Sequence, residues 1–561
     1  MRYLALATDF DGTLAHDGRV AAETIEALKE LKKSGRKAIL VTGRLVDSLN
    51  AEFPHLDLFD LVVAENGGVL YDPLTHETTP LAQAPPARFV ETLRARNVSP
   101  LEAGAVIVST WEPHETAVVD TIRDLGLEMQ VIFNKGAVMT LPSGVNKASG
   151  LQAALERFEL SAHNAAGVGD AENDHAFLQL CELSAAVANA LPALKETADV
   201  VLEGDHGKGV TQLVRRMIDE DCATWPPVRR NREILLGTAA GKELFVDPYV
   251  SGITLIAGAS GSGKSTLATG MIERIVEREY QVCIVDPEGD YESFDGVASL
   301  GDAGRAPTLD EVESLLRNPA QCVAVNLLGI PIDSRADFAA QLVPRLVSSR
   351  AKTGRPHWIV LDEAHQLLRK ERGKNEIVPS EVFSMLAITT QPSLLPDNLR
   401  ENVQMLVAVG DGAEEAVKEA APQSTARVPR LERGKAALWF RNDSNKVTTF
   451  DVAPPKATTK RHRRKYAAGD LAPEKSFYFR GREGKLNLRA QNLNVFAQLA
   501  EGIDDETWLH HLRSGDVATW FREMIGDDDL ARIAGDAQNA GADESRKTVV
   551  EEIHKRYTAS A

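Results

Sequence analysis

Cysteine is scarce in this sequence. Four occur in 561 residues, Cys181, Cys222, Cys283 and Cys322, scattered and without a CxxC pair. That excludes a disulfide framework and a cysteine-built structural metal site, and it fits a reducing compartment. Long apolar runs are also lacking, and none approaches the roughly 20 residues that span a bilayer. The N-terminus reaches a carboxylate at Asp9, too early for a signal peptide. A cytoplasmic location with no membrane partner is therefore expected. Basic residues are outnumbered, 63 Lys and Arg against 81 Asp and Glu, for a net charge of −18. Such a balance disfavours DNA as a partner of the whole surface and leaves room for a local basic channel. What remains is 43% hydrophobic and 26% charged, an ordinary globular composition, long enough for roughly three or four domains.

The most specific stretch is Gly258-Ala259-Ser260-Gly261-Ser262-Gly263-Lys264-Ser265, which satisfies G-x-x-x-x-G-K-[ST] at every fixed position. The apolar run before it reads as a strand. Residues 265–276 read as a helix, with Leu267, Met271 and Ile275 four apart. Strand, loop and helix in that order are the context this motif requires. Gly258, Gly261 and Gly263 let backbone N–H groups curl around a phosphate chain, and the helix start, with Ser265 and Thr266, adds positive potential. Lys264 would reach the β- and γ-phosphates of ATP, and the Ser265 hydroxyl would ligate Mg²⁺.

The N-terminal part, about 1–220, has its own pattern. A short apolar strand ends in Asp9-Phe10-Asp11-Gly12-Thr13. Two carboxylates two apart at a strand end point the same way. One could attack phosphorus while the other protonates the leaving oxygen. A second strand ends in Thr42-Gly43-Arg44 and a third in Glu65-Asn66-Gly67-Gly68. Lys147 follows a Pro-Ser-Gly turn, and Gly167-Val168-Gly169-Asp170 leads into Asn173 and Asp174.

This set resembles the haloacid dehalogenase (HAD) phosphohydrolases, in particular the Cof-type group with a type-IIB cap. The resemblance implies a Rossmann-like core with a small α/β cap at about 72–141. It implies Asp9 as the nucleophile that forms an aspartyl-phosphate and Asp11 as general acid/base. Thr42 would hold the transferring phosphoryl group and Lys147 would offset its charge. Mg²⁺ would be bound by Asp170, Asp9 and the carbonyl of Asp11, with Asp174 in support. The loop Trp111-Glu112-Pro113-His114-Glu115 after a cap strand is a candidate specificity element. Caps of this type imply a small phosphorylated substrate, with a sugar phosphate as one candidate.

Trp225-Pro226-Pro227 reads as a linker to a second region, about 230–453. Its strands alternate with helices, which predicts a parallel sheet covered on both faces. One apolar strand is followed by Asp286-Pro287-Glu288-Gly289-Asp290-Tyr291. Another is followed by Asp362-Glu363-Ala364-His365, and a third by Thr390-Gln391. The combination resembles the HerA/FtsK superfamily of P-loop ATPases with a RecA-like sheet. The resemblance implies Asp362 on Mg²⁺ through water, Glu363 orienting the attacking water, and Gln391 sensing the γ-phosphate. It also implies a homo-oligomer through this domain. The cluster Arg369, Lys370, Arg372 and Lys374 stands where a basic helix is expected. No arginine finger is assigned, and Arg400 and Arg430 remain alternatives.

Beyond residue 453 the basic run Lys460-Arg461-His462-Arg463-Arg464-Lys465 reads as a solvated linker more readily than as a nucleic-acid or phosphate patch. Residues 466–540 read as a mainly helical module. Adjacent His510 and His511 on a helix point in different directions, so one is expected in the core and one at the surface. The sequence thus predicts an α/β protein with two phosphoryl-transfer sites. It would be a Mg²⁺-dependent HAD phosphatase with an ATP-binding and ATP-hydrolysing domain that regulates it. The alternative is an ATP-driven translocase of DNA or protein with an accessory phosphatase.

Overall fold

The computed structural model describes residues 1–134, 136–222, 225, 233–247, 252–368, 384–420, 427–443, 446–456, 471, 476–481, 486–525 and 527–558. Contacts divide the chain into two compact units. One holds Met1–Gly289 and Gly296–Pro454, the other Asp290–Asp295 and Pro455–Ala561.

The first unit contains three sheets. The first is built from β1 (Ala5–Thr8), β2 (Lys37–Val41), β3 (Leu61–Ala64), β4 (Val69–Asp72) and β5 (Glu77–Pro80). A separate antiparallel sheet then interrupts it, made of β6 (Glu102–Ala103), β7 (Val108–Trp111), β8 (Met129–Asn134) and β9 (Ala137–Pro142). The first sheet resumes with β10 (Ala165–Gly169), β11 (Leu183–Ala186) and β12 (Val200–Val201), in the order β12-β11-β10-β1-β2-β3-β4-β5. From β12 to β3 all pairs are parallel. Its central strands are short and buried on both faces, as in the wholly buried run Ala5–Thr8, because helices cover both sides. The interrupting sheet carries a small core of its own around Phe89, Leu93, Val108, Val118 and Val138.

The other large sheet runs β14-β13-β23-β22-β21-β15-β20-β19-β16-β18-β17. Its strands are β13 (Ile234–Ala239), β14 (Lys242–Val246), β15 (Ile253–Ala257), β16 (Val282–Asp286), β17 (Val297–Leu300), β18 (Cys322–Asn326), β19 (Trp358–Leu361), β20 (Met385–Thr389), β21 (Val403–Val409), β22 (Lys435–Phe440) and β23 (Val447–Val452). From β21 to β17 every pair is parallel. The flank of β22, β23, β13 and β14 is antiparallel and extends the parallel sheet that the alternation predicts. For the flank's consecutive pairs β13–β14 and β22–β23 the cause is loop length. A parallel partner needs a crossover of a dozen or more residues. Only Ala240 and Gly241, both at positive φ, join β13 to β14, as a two-residue hairpin does.

The second unit pairs β24 (Phe477–Phe479) with β25 (Leu488–Ala490) and is otherwise helical. Its core is aromatic, with Phe477, Phe479, Phe496, Trp508, Trp520 and Phe521 buried together. His511 is buried there and His510 is exposed. His511 bridges Asp516 at 2.8 Å and the Arg480 backbone N–H at 2.9 Å, a structural role.

Candidate active sites

The first site lies at the carboxyl ends of β1 and β10. Asp9 follows β1 and is 5% exposed, while Asp170 follows β10 and is 3% exposed. Asp174 is fully buried, and its second oxygen accepts the backbone N–H groups of Asp170 and Ala171, each at 2.9 Å. Lys147 is the first residue of the Lys147–Arg157 helix. Asn146 starts that helix by accepting the N–H groups of Ala148 and Ser149, while Ser149 Oγ accepts from Asn146 N. This capping box fixes where Lys147 enters the crevice. Its Nζ lies 2.6 Å from Asp9 Oδ1 and 2.6 Å from Asp174 Oδ1.

Burial opposes the charge on Lys147, but Asp174 and Asp9 outweigh it and raise its pKa. Burial pushes Asp9 up to about 8. Lys147 opposes that rise, and the nearby Asp174 and Asp170 add to it. One ammonium thus faces three buried carboxylates whose oxygens lie within 4.8 Å of one another. This surplus of hard oxygen donors fits a divalent cation such as Mg²⁺. Thr42 is buried at the end of β2, and its hydroxyl accepts from Arg44 N at 3.2 Å.

Asp11 stands apart from that cluster and is exposed. Both its oxygens are held by Arg44, Nε to Oδ2 and Nη2 to Oδ1 at 2.7 Å each, and Arg44 also binds Glu52. Sequence reasoning missed Arg44, Glu52 and the clamp at Glu65. The Glu65 side chain enters the inserted sheet's base and accepts three backbone N–H groups, of Ala105, Val106 and Ile107, at 2.7–3.0 Å. The acidic residue at a strand end was the visible signal, but its partners are some forty residues away.

The inserted sheet presents one face to the first sheet. Met139 on that face packs by Gly43, whose Cβ, were there one, would lie 3.5 Å from Met139 Sδ. Ser109 pairs with Met139, so Trp111, two residues on, shares the face. Its ring is 53% exposed. His114 instead hydrogen-bonds Ser99 O at 3.0 Å. The Trp111–Glu115 loop therefore divides, with its aromatic on the site side and its histidine tied back.

The second site lies at the carboxyl ends of β15, β20 and β19. Gly258 follows β15 at φ +157°, where a Cβ would come 2.3 Å from Val409 O. Gly261 and Gly263 also have positive φ, and the Lys264–Glu277 helix starts directly after them. Lys264 is buried and donates to Ala259 O at 2.8 Å. Among the described residues, Ser262 Oγ is buried without a hydrogen-bond partner. A cradle of glycine turns and helix N–H groups with an inward lysine fits a nucleotide's phosphates.

Asp362 is fully buried, and Glu363 takes a left-handed conformation at φ 42°, ψ 49°. Because β20 lies between β15 and β19, Thr389 and Gln391 fall between the glycine loop and Asp362-Glu363. Thr389 Oγ1 lies 3.0 Å from His365 Nδ1 and accepts from Gln391 N at 3.0 Å. Burial lowers the pKa of His365, and the nearby Lys264 charge adds to this. Ser265 and Thr266 open the helix. Of the alternative fingers, Arg400 binds Asp397 and Glu419 O, whereas Arg430 is exposed near Asp411. Arg369, Lys370, Arg372, Lys374, the Lys460–Lys465 run and Pro226-Pro227 lie outside the described residues. Trp225 packs against the first sheet's core.

Comparison with known proteins finds matches for both portions of the chain. Residues 6–110 and 105–214 match the family model of haloacid dehalogenase-like hydrolases, and residues 240–383 match that of the helicase HerA central domain. A phosphoglycolate phosphatase of Methanothermobacter thermautotrophicus is 31% identical over 223 residues, covering 38% of this chain and 98% of that protein. One of Halorubrum lacusprofundi is 30% identical over 220 residues, covering 37% and 95%. A haloacid dehalogenase-like hydrolase from Bacteroides thetaiotaomicron is similar in structure at 17% identity and a TM-score of 0.34, covering 38% of this chain and 99% of that one. The chain belongs to the haloacid dehalogenase-like hydrolases. It is an enzyme of the phosphatase class that also carries a HerA-type P-loop ATPase domain.

Proposed function

We propose that the chain is a Mg²⁺-dependent hydrolase of a small phosphate monoester, fused to an ATP-binding and ATP-hydrolysing domain that regulates it. The observation that carries the reading is the buried set of Asp9, Lys147, Asp170 and Asp174 at adjacent strand ends. Asp9 Oδ attacks phosphorus, the ester P–O bond breaks, and Asp11 gives the leaving oxygen its proton. Water then attacks the aspartyl-phosphate while Asp11 takes its proton, which frees phosphate and restores Asp9. Asp11 can do this only once Arg44 releases at least one of its oxygens. Lys147 and Thr42 hold the phosphoryl oxygens. Mg²⁺, held by Asp9, Asp170, Asp174 and the Asp11 carbonyl, would supply charge neutralisation at the phosphate.

Phosphoglycolate, the substrate in the relatives' names, joins sugar phosphates as a candidate, with Trp111 against the leaving group. In the second crevice Gly258, Gly261, Gly263, Lys264, Ser265 and Thr266 bind the phosphates of ATP. Ser265 and Asp362 serve its Mg²⁺, Glu363 orients water and Gln391 senses the γ-phosphate. We place the phosphatase at 1–220, the ATPase at 230–453 and a helical module at 466–540, in the cytoplasm. Phosphate release from 2-phosphoglycolate and a sugar-phosphate panel, with and without Mg²⁺, tests the reading. No Mg²⁺-dependent turnover on any of them would overturn it. The HerA match favours a second reading, an ATP-driven translocase of DNA or protein with an accessory phosphatase domain; ATP hydrolysis stimulated by DNA would support it.

A further inference from the structure

The phosphatase and ATPase portions of the first unit meet through a buried polar seam. On the ATPase side it consists of residues 278–281, just before β16, and 354–357, just before β19. On the other side it consists of Arg2, just before β1, Glu159, residues 163–164, just before β10, and Glu182, just before β11. Both sheets therefore abut at the amino ends of their strands, while both candidate sites lie at the carboxyl ends. The crevices open away from each other, each about a strand's length, roughly 16 Å, from the seam.

Arg355 is the centre of the seam and is 2% exposed. Its Nε and Nη2 both donate to Glu159 O, Nη1 donates to Gln281 Oε1 at 3.1 Å and Leu316 O at 2.9 Å, and Nη2 also reaches Arg317 O at 3.3 Å. All five guanidinium N–H groups are thereby used. Glu159 lies just past the end of the Lys147–Arg157 helix, and Leu316 ends the Leu309–Leu316 helix. The cation thus sits against the negative ends of two helices, one from each portion. Burial nonetheless draws its pKa down to about 10.

A second contact runs alongside. The His163 ring stacks on Tyr280 at 3.9 Å, with Nδ1 2.6 Å from Glu182 and Nε2 2.9 Å from Arg278 O. The buried Glu182 also accepts from Tyr280 Oη at 3.1 Å and Arg2 Nη2 at 2.6 Å. Gly354 has φ +68°, and a Cβ there would lie 2.1 Å from Asn164 Nδ2. A polar junction with this many directional contacts fixes one orientation more sharply than an apolar one, although the buried His357 Nε2 has no hydrogen-bond partner among the described residues.

We propose that this seam couples the two sites, with the state of the Asp362-Glu363 end of β19 carried through Arg355 to the helix that begins with Lys147. The inference rests on the functional reading above. Coupling between sites typically amounts to about a 5–150-fold change in affinity and is reciprocal for binding. The test uses the full chain with 2-phosphoglycolate as substrate, adenylyl-imidodiphosphate as the non-hydrolysed nucleotide and tungstate as the phosphate mimic. The nucleotide should shift the apparent affinity for tungstate, and tungstate should shift that for the nucleotide by the same factor. Arg355→Ala should bring both factors to about one while basal phosphate release and ATP hydrolysis persist. Tyr280→Phe, which removes only the bond to Glu182, should reduce the factors partially and serves if Arg355→Ala does not fold. A wild-type chain that turns over substrate and binds nucleotide with no mutual shift overturns the inference together with the regulatory role of the ATPase domain and leaves the phosphatase reading standing, whereas a shift unchanged in the variants overturns the inference alone. A wild-type chain with no phosphate release overturns the functional reading, and the inference with it.

Discussion

The two crevices handle phosphate with different materials. The first is built from side-chain charge, with three buried carboxylates and one lysine at the ends of β1 and β10. The second is built mainly from backbone, with glycines at positive φ and the start of the Lys264–Glu277 helix. The first site holds carboxylates where burial disfavours their charge, so compensating groups must be packed around them. A phosphate cradle needs only oriented N–H groups, which cost no buried charge. The first site should therefore fail abruptly on loss of one side chain, and the second should separate binding from hydrolysis.

The largest expected effect is at Asp9, the proposed nucleophile. Asp9→Asn removes the attacking oxygen and should lower phosphate-ester turnover by about 10⁴-fold or more, with ATP hydrolysis nearly intact. Steady-state assays of both activities on one preparation check this, and retained ester turnover would break the comparison at its first term. Chelation of Mg²⁺ should abolish ester hydrolysis in the same assay, with activity returning when the ion is restored.

Next in size is Glu363→Gln, which should slow ATP hydrolysis by about 10²–10⁴-fold while leaving ATP binding in place. Lys264→Ala should instead weaken binding, since it removes a phosphate contact. Calorimetric titration with ATP beside a hydrolysis assay distinguishes the two. If both variants hydrolyse ATP at the wild-type rate, the glycine loop is not the hydrolytic site.

Smaller effects concern the supports of the first site. Glu65→Ala leaves the Ala105, Val106 and Ile107 N–H groups without their acceptor, which should cost about 3 kcal/mol of stability. Denaturant melts read this, and an unchanged midpoint would show that the clamp is dispensable. Smallest is Asn146→Ala, which removes the cap that sets Lys147. It should cost about 1 kcal/mol and lower ester turnover without affecting ATP hydrolysis.

Much of both sites was legible because their motifs are short and local. Asp9 and Asp11, Thr42, the glycine loop and Asp362-Glu363 each sit directly after an apolar run, and strand ends are where such runs deliver side chains. The supports were not legible. Arg44 reaches back 33 positions to Asp11, and Glu65 reaches forward 40 to 42 to its three amides. Nothing in the local pattern of either residue names its partner. The pairing of the second sheet's flank was not legible for a related reason: nothing in β13 or β23 names the other, yet Gly237 lies opposite Val452 and Thr238 opposite Asp451.

The sequence by itself determined the two sets of candidate residues, since Asp9, Asp11, Lys147, Asp170 and Asp174, and likewise the glycine loop, Lys264 and Asp362-Glu363, are picked out by residue type and spacing against secondary structure. Only the tertiary structure decided that Asp11 rests in the fork of Arg44, and that the two sheets join at their amino ends around Arg355. Those arrangements depend on contacts across as many as 196 positions. They are set by how whole helices and sheets pack, where a buried guanidinium can exist only if carbonyl groups from distant segments converge on it.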